Sequence, residues 1–227
     1  MHGGVYLEWP RPQLAAFLAA TPDVLFIPYA RPGGISHDEY TELTRAALAE
    51  IGCSVSGIHQ HADPVAAVNN AAAVFVGGGN TFVLLRDLHD NDLIEPLCRR
   101  VDAGMRYMGA SAGTNIAGMS IGTTNDMPIV CPPTFDALGL LPFNINPHYL
   151  DPDPASKHQG ETRETRINEF HVHNAQPVVA LREGTLLTIE GGRVELIGAP
   201  GGRLFRAGAE AEELAAAARL DDLLNDL

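Results

Sequence analysis

Lysine is almost absent from this 227-residue chain: Lys157 is the only one, and with 14 arginines it faces 28 acidic residues, for a formal net charge of −13. Polyanion binding draws its affinity from clustered basic residues that release counterions, so a large nucleic-acid footprint is disfavoured. The same shortage disfavours docking on anionic membrane surfaces. Cysteine is scarce too. Cys53, Cys98 and Cys131 lie far apart without a CxxC spacing, which indicates neither a zinc knuckle nor a disulfide framework and fits a reduced, cytoplasmic setting. No run approaches the ~20 apolar residues of a membrane span, and Met1–Pro10 lacks the basic start and apolar core of a secretory signal. A hydrophobic content of 45%, 23 glycines and 16 prolines describe a turn-rich globular chain. At this length the expectation is a single α/β domain over residues 1–227, with no internal repeat and no linker.

Short apolar runs bounded by Gly, Pro or Asn mark strands at Val24–Pro28, Ser54–Ile58, Ala73–Gly77, Arg106–Ala110, Val178–Leu181, Leu186–Ile189 and Val194–Ile197. Segments of helical period separate the first four: Asp38–Ile51, Asp63–Asn70, and Asn80–Ala103 with a break near Asp90–Asp92. Strands alternating with helices imply right-handed βαβ units on a mostly parallel sheet. Continuous apolar runs such as Ala72–Val76 imply strands buried on both faces, hence a three-layer sandwich. Glu190-Gly191-Gly192-Arg193 predicts a tight hairpin, so the sheet is expected to end in antiparallel strands. The proline-rich stretch 125–154 reads as a long ordered loop, of the size that is usually functional. Ala209–Leu227, rich in alanine, leucine and acid, predicts a C-terminal surface helix.

The sharpest chemical signal is Gly109-Ala110-Ser111-Ala112-Gly113, a Gly-x-Ser-x-Gly between a strand and a helix-like segment. Small neighbours let a nucleophile occupy a strained turn there, and the amide of Ala112 is placed to donate to an oxyanion. A second glycine-rich turn, Gly77-Gly78-Gly79-Asn80-Thr81, lacks the ending of a P-loop and the spacing of a dinucleotide fingerprint. It reads better as the source of a second oxyanion donor, from Gly78 or Gly79. Among nine histidines, His148 stands out, because Asn146-Pro147-His148 ends the apolar run Leu140–Ile145, and open α/β sheets bind ligands at such strand ends. The acid that would orient its ring is either Asp126, in Thr123-Thr124-Asn125-Asp126-Met127-Pro128, or Glu183 at another strand end; the sequence leaves both open. His59-x-His61 and His171-x-His173 have metal-pair spacing but no third ligand at convincing distance, so no metal is expected. In Gly160-Glu161-Thr162-Arg163-Glu164-Thr165-Arg166, entering a helical stretch Ile167–His173, Arg163 and Arg166 are candidates to hold a substrate carboxylate. Ordinary helix-surface ion pairs compete with that reading.

Taken together, Phe26-Ile27-Pro28, Gly77–Phe82, Gly109–Gly113, Thr123–Pro128, Asn146–His148, Gly160–Arg163 and Phe205-Arg206-Ala207-Gly208 resemble the peptidase E, or α-aspartyl dipeptidase, family along nearly the whole chain, Val24 to Gly208. The resemblance implies a flavodoxin-like sandwich related to class I glutamine amidotransferases and to cyanophycinase. It implies hydrolysis of small acidic dipeptides with N-terminal aspartate, through Ser111 as nucleophile and His148 as base, with no metal and no organic cofactor. It leaves a homodimer open. Met1–Leu7 departs from the pattern, being too short and glycine-rich for the hydrophobic strand with which such proteins begin. The alternatives are a cyanophycinase-like exopeptidase and a non-catalytic small-molecule-binding protein on the same sandwich.

Overall fold

The computed structural model describes residues 5–153, 155 and 160–225. Four strands, β1 (Asp23–Ile27), β2 (Ser54–Gly57), β3 (Ala73–Val76) and β4 (Arg106–Gly109), form an all-parallel sheet in the order β2-β1-β3-β4. Its register pairs Phe26 with Phe75 and Val74 with Tyr107. Successive side chains alternate between faces, and both faces are covered. Leu25, Ile27, Val74 and Val76 meet Leu84, Leu85, Leu88 and Leu97, from α4 (Thr81–Asp90) and α5 (Ile94–Asp102). Val24, Phe26, Ala73 and Phe75 meet Tyr40 and Leu48 of α2 (His37–Ala49) and Leu18 of α1 (Arg11–Leu18) on the other side. This is the expected three-layer sandwich, with each fully buried Leu or Phe contributing about 1.5–3 kcal/mol.

The helices begin where local chemistry supplies acceptors. Ser36 caps α2, its hydroxyl accepting from the Glu39 amide while the Glu39 carboxylate accepts from the Ser36 amide. Asp63 caps α3 (Pro64–Asn70) and Asn80 caps α4. The expected break lies between α4 and α5, where Asp92 adopts φ 54°.

A second sheet, in the order β10-β9-β6-β5, lies beyond the elbow helix α6 (Ala112–Asn115). Its strands are β5 (Asn144–Pro147), β6 (Val178–Leu181), β9 (Gly202–Phe205) and β10 (Glu212–Leu214). β5 and β6 are parallel, while β9 and β10 are antiparallel to their neighbours. β7 (Leu186–Glu190) and β8 (Arg193–Ile197) form the hairpin, as a separate two-stranded ribbon. The antiparallel edge of the second sheet is therefore made by β9 and β10, not by the hairpin.

Three element assignments differ from expectation. Ala209–Leu227 is not a helix: through residue 225 it supplies β10 and a 3₁₀ turn, Asp221–Asn225. Its buried leucines, Leu214, Leu220 and Leu223, do not repeat at one helical face, and pairing of Glu212–Leu214 with β9 outweighs the helix propensity of alanine. The strand before His148 is Asn144–Pro147 rather than Leu140–Ile145. The helix after Gly160 is α7 (Arg163–Phe170), one turn earlier than the apolar period suggested, because the Thr162 hydroxyl caps it at the Thr165 amide. Among the described residues, no helix is long and apolar enough to cross a membrane.

Candidate active site

β4 ends at Gly109 and the chain turns sharply into α6, leaving Ser111 at φ 52°, ψ −108°. Such a conformation costs on the order of 1–3 kcal/mol and persists only where its surroundings enforce it. Two glycines do so. A Cβ on Gly113 would lie 2.1 Å from the Val76 carbonyl oxygen, and one on Gly109 would lie 2.4 Å from that of Gly113. With both bare, α6 sits directly against β3 and β4. Tyr107 fastens the elbow from beneath: its hydroxyl, whose ionisation burial suppresses, donates to the Gly113 carbonyl at 2.6 Å.

His148 follows the last residue of β5, at φ 58°, and its Nε2 stands 2.9 Å from the Ser111 hydroxyl. Its Nδ1 is hydrogen-bonded to Oε1 of Glu183, which follows β6 by two residues. With Nδ1–H donating to the carboxylate, Nε2 is left free to accept the Ser111 proton. Because β5 and β6 are parallel neighbours, both side chains leave at the same carboxyl edge. The Tyr149 amide donates to the Leu181 carbonyl at 2.9 Å and carries the pairing one step past the strand, into the segment holding the histidine.

Asp126 takes a different position. Its Oδ2 accepts from the Thr81 amide at 2.8 Å and from the Thr81 hydroxyl at 2.6 Å, at the first turn of α4. The stretch around it is a brace. Asn80 Nδ2 donates to the Met127 carbonyl at 2.9 Å, Asn125 Nδ2 to the Pro147 carbonyl at 2.8 Å, and Asn146 Nδ2 to the Thr123 carbonyl at 2.7 Å. One loop thus ties the glycine turn after β3 to the strand end that carries His148. A negative charge at the start of α4 also meets the positive end of the helix dipole.

The two oxyanion candidates in the glycine turn separate. The Gly78 amide is already committed, donating to the Tyr40 hydroxyl at 2.9 Å. Gly79 and Ala112 donate their amides to no acceptor among the described residues. Gly79 is fixed at φ +150°, where an added Cβ would lie 2.1 Å from the Ala30 carbonyl oxygen. Gly78 matters sterically instead, since its Cβ would come within 2.9 Å of Ser111 Cβ.

Of the two arginines on α7, Arg166 pairs with Glu161 at 3.5 Å on the exposed surface. Arg163 makes no ion pair with any described residue. Burial, and then the charge of Arg166, hold its guanidinium below its ordinary value, while Asp126 acts in the opposite direction. It is a half-buried cation at the start of α7. Neighbouring α7, Arg203 of β9 binds Glu164 at 2.5 Å and so docks the helix on the second sheet. No cluster among the described residues has the donors for a metal ion; His59 contacts Asp38 and His61 contacts Ser56.

A strained serine turn on a parallel α/β sheet fits many hydrolases, and comparison with known proteins narrows the class to a serine-type peptidase. The chain matches the model of peptidase family S51 over residues 1–197, and it belongs to that family. It is 52% identical over 224 residues to "Peptidase E" of Streptomyces coelicolor, covering 99% of this chain and 91% of that protein. It is 48% identical over 227 residues to "Probable alpha-aspartyl dipeptidase" of Drosophila melanogaster, covering 99% and 93%. The fold is shared with the crystal structure of a peptidase from an acI-B1 actinobacterium, at TM-score 0.70 and 16% identity over 96% of this chain and 93% of that one.

Proposed function

We propose that the protein is a dipeptidase that removes an N-terminal aspartyl residue, with Ser111 as nucleophile, His148 as general base and Glu183 as the group that orients the imidazole. The observation that carries this reading is the continuous hydrogen-bonded chain from Ser111 through His148 to Glu183. The names of the relatives point to the same substrate class. His148 takes the hydroxyl proton as Ser111 Oγ attacks the carbonyl carbon of the aspartyl residue. The amides of Ala112 and Gly79 stabilise the oxyanion. The tetrahedral adduct collapses with breakage of the C–N bond, His148 delivers its proton to the leaving amine, and water, deprotonated by His148, releases aspartate from the ester. Arg163 takes the aspartyl side-chain carboxylate. An uncharged first residue would leave that cation partly buried and unpaired, which is the physical origin of selectivity. Asp126 keeps its place in the brace and acts by holding the glycine turn and the field around Arg163.

The test is a panel of Asp-Leu, Asn-Leu, Ala-Leu, Asp-p-nitroanilide and β-Asp-Arg, run with wild type and Ser111→Ala. The expected result is turnover of α-aspartyl substrates only, abolished in the variant. Preference for β-Asp-Arg would make the protein a cyanophycinase-like exopeptidase. Saturable binding without turnover would make it a sensor, and either outcome overturns the proposal.

A further inference from the structure

An aspartyl dipeptide carries two carboxylates on opposite sides of the scissile bond, the side chain before it and the free α-carboxylate after it. A chain of net charge −13 repels both at long range, so each needs a local cation. Around this edge of the two sheets most guanidinium groups are spoken for: Arg182 by Asp151 and Glu213, Arg203 by Glu164, Arg166 by Glu161. Two have no carboxylate partner among the described residues. One is Arg163; the other is Arg31, in the loop that leaves the carboxyl end of β1.

We propose that Arg31 binds the free α-carboxylate of the substrate's second residue and thereby restricts the enzyme to dipeptides; this rests on the aspartyl-dipeptidase reading above. The guanidinium carbon of Arg31 lies 5.0 Å from the centroid of the Tyr40 ring. That ring's hydroxyl accepts the Gly78 amide at 2.9 Å, and Gly78 abuts Ser111. The path from Arg31 to the nucleophile therefore runs through two residues. Stacking on an aromatic face orients the cation without neutralising it.

Nearby carboxylates are committed elsewhere. Glu39 is turned back onto the Ser36 amide, and Asp38 is held by His59 and Gln60. The dimensions agree. β1 is two strands from β4 in the sheet order, roughly 10 Å at about 4.8 Å per strand. From the scissile carbonyl to the terminal carboxylate is one extended residue, about 3.5 Å, so the remaining distance falls to the Arg31 side chain and its charge-assisted hydrogen bond. Arg163 opens α7, which Arg203 docks on the second sheet. A dipeptide stretched between the two places its scissile carbonyl over Ser111, and a longer peptide would bring an uncharged amide against Arg31 instead.

The experiment compares kcat/KM for Asp-Leu, Asp-Leu-amide and Asp-p-nitroanilide in wild type, Arg31→Ala and Arg31→Lys. Wild type is expected to favour the free acid over the amide by at least about tenfold, and Arg31→Ala to bring that ratio close to one by raising KM for the acid, with Arg31→Lys restoring part of it. A wild-type ratio near one, or a ratio that Arg31→Ala leaves within about twofold, overturns the assignment. Failure of wild type to cleave any of the three aspartyl substrates would instead sink the underlying activity, so the two failures are distinguishable.

Discussion

Replacing Arg182 by alanine should damage stability and turnover together, for reasons that can be worked from the contacts. Its guanidinium grips Asp151 through two bonds of 2.7 Å and Glu213 through bonds of 2.5 and 3.0 Å, and it donates to the Pro200 carbonyl at 3.0 Å. The arginine side chain is 18% exposed, but its carboxylates are 49% and 63% exposed. A fully buried pair broken on one side costs about 3–5 kcal/mol, and a surface pair about 0–1. This intermediate case should cost about 2 kcal/mol, or roughly 4–8 °C in Tm for a chain of this size. The consequence for catalysis follows from position. Arg182 precedes Glu183, and Asp151 lies three residues after His148, so the clamp joins the two segments that present the proposed base and its proposed orienting acid. Without it kcat should fall by about 10- to 100-fold with KM nearly unchanged, because small misplacement of reacting groups is expensive. The pH dependence has a definite sign. The Arg182 hydrogen bonds hold both Asp151 and Glu213 below the usual carboxylate range, so the stabilisation is present above their unfolded values near 4 and is lost as pH falls through the depressed folded ones. Urea titrations of wild type and Arg182→Ala at pH 7 and at about pH 3 should therefore give a gap in unfolding free energy that narrows in acid. A gap below about 0.5 kcal/mol at pH 7, a gap that does not narrow, or an unaltered kcat would refute the reasoning.

Glu183→Gln keeps shape while removing the charge that orients His148, and should lower kcat by about 10²- to 10⁴-fold with Tm little changed. Asp126→Ala leaves the Thr81 amide and hydroxyl without their acceptor; it should cost about 1–3 kcal/mol, with a smaller kcat loss than Glu183→Gln, and steady-state kinetics beside thermal melts would show the reverse ranking if Asp126 were the orienting acid. Gly113→Ala drives a methyl into the Val76 carbonyl, where backbone rather than a flexible side chain must move; soluble yield and Tm should both collapse, and near-normal stability would mean that the elbow is not sterically locked.

Much of the first sheet was legible in the sequence because its strands are short continuous apolar runs punctuated by Gly and Pro, a pattern that two-faced burial imposes. The elbow was legible for a related reason: its glycines are required by backbone contacts with the adjacent strand, so the motif is the shape of the turn written in residue types. The C-terminal stretch was not. The alanines of Ala209–Ala218 carry a local helix preference, but the segment's fate is decided by a strand edge on β9 and by two arginines, Arg182 just past β6 and Arg203 on β9, that recruit Glu213. Such non-local partners leave no periodic trace. The first helix, Arg11–Leu18, escaped for another reason. It follows Pro10 with no capping side chain and buries only Leu18 fully, so neither start signal nor period was strong.

The choice between Asp126 and Glu183 shows where reading residues for chemistry gives out. Both are carboxylates near strand ends at the same edge, and residue type and separation from His148 do not distinguish them. What separates them is the partner each acquires. Asp126 faces two donors on Thr81, which satisfies the carboxylate locally and converts a stretch rich in hydrogen-bonding side chains into a strut between two strand ends. Glu183 lies beside β5 because β6 pairs with it in parallel, and it meets a ring nitrogen that needs an acceptor. The strut and the His148–Glu183 pair are consequently interdependent: His148 sits after a proline whose carbonyl is held by Asn125, so loosening the strut moves the proposed base as well as the proposed oxyanion turn. That coupling accounts for a polar stretch of this density beside a site whose proposed chemistry uses none of its side chains directly.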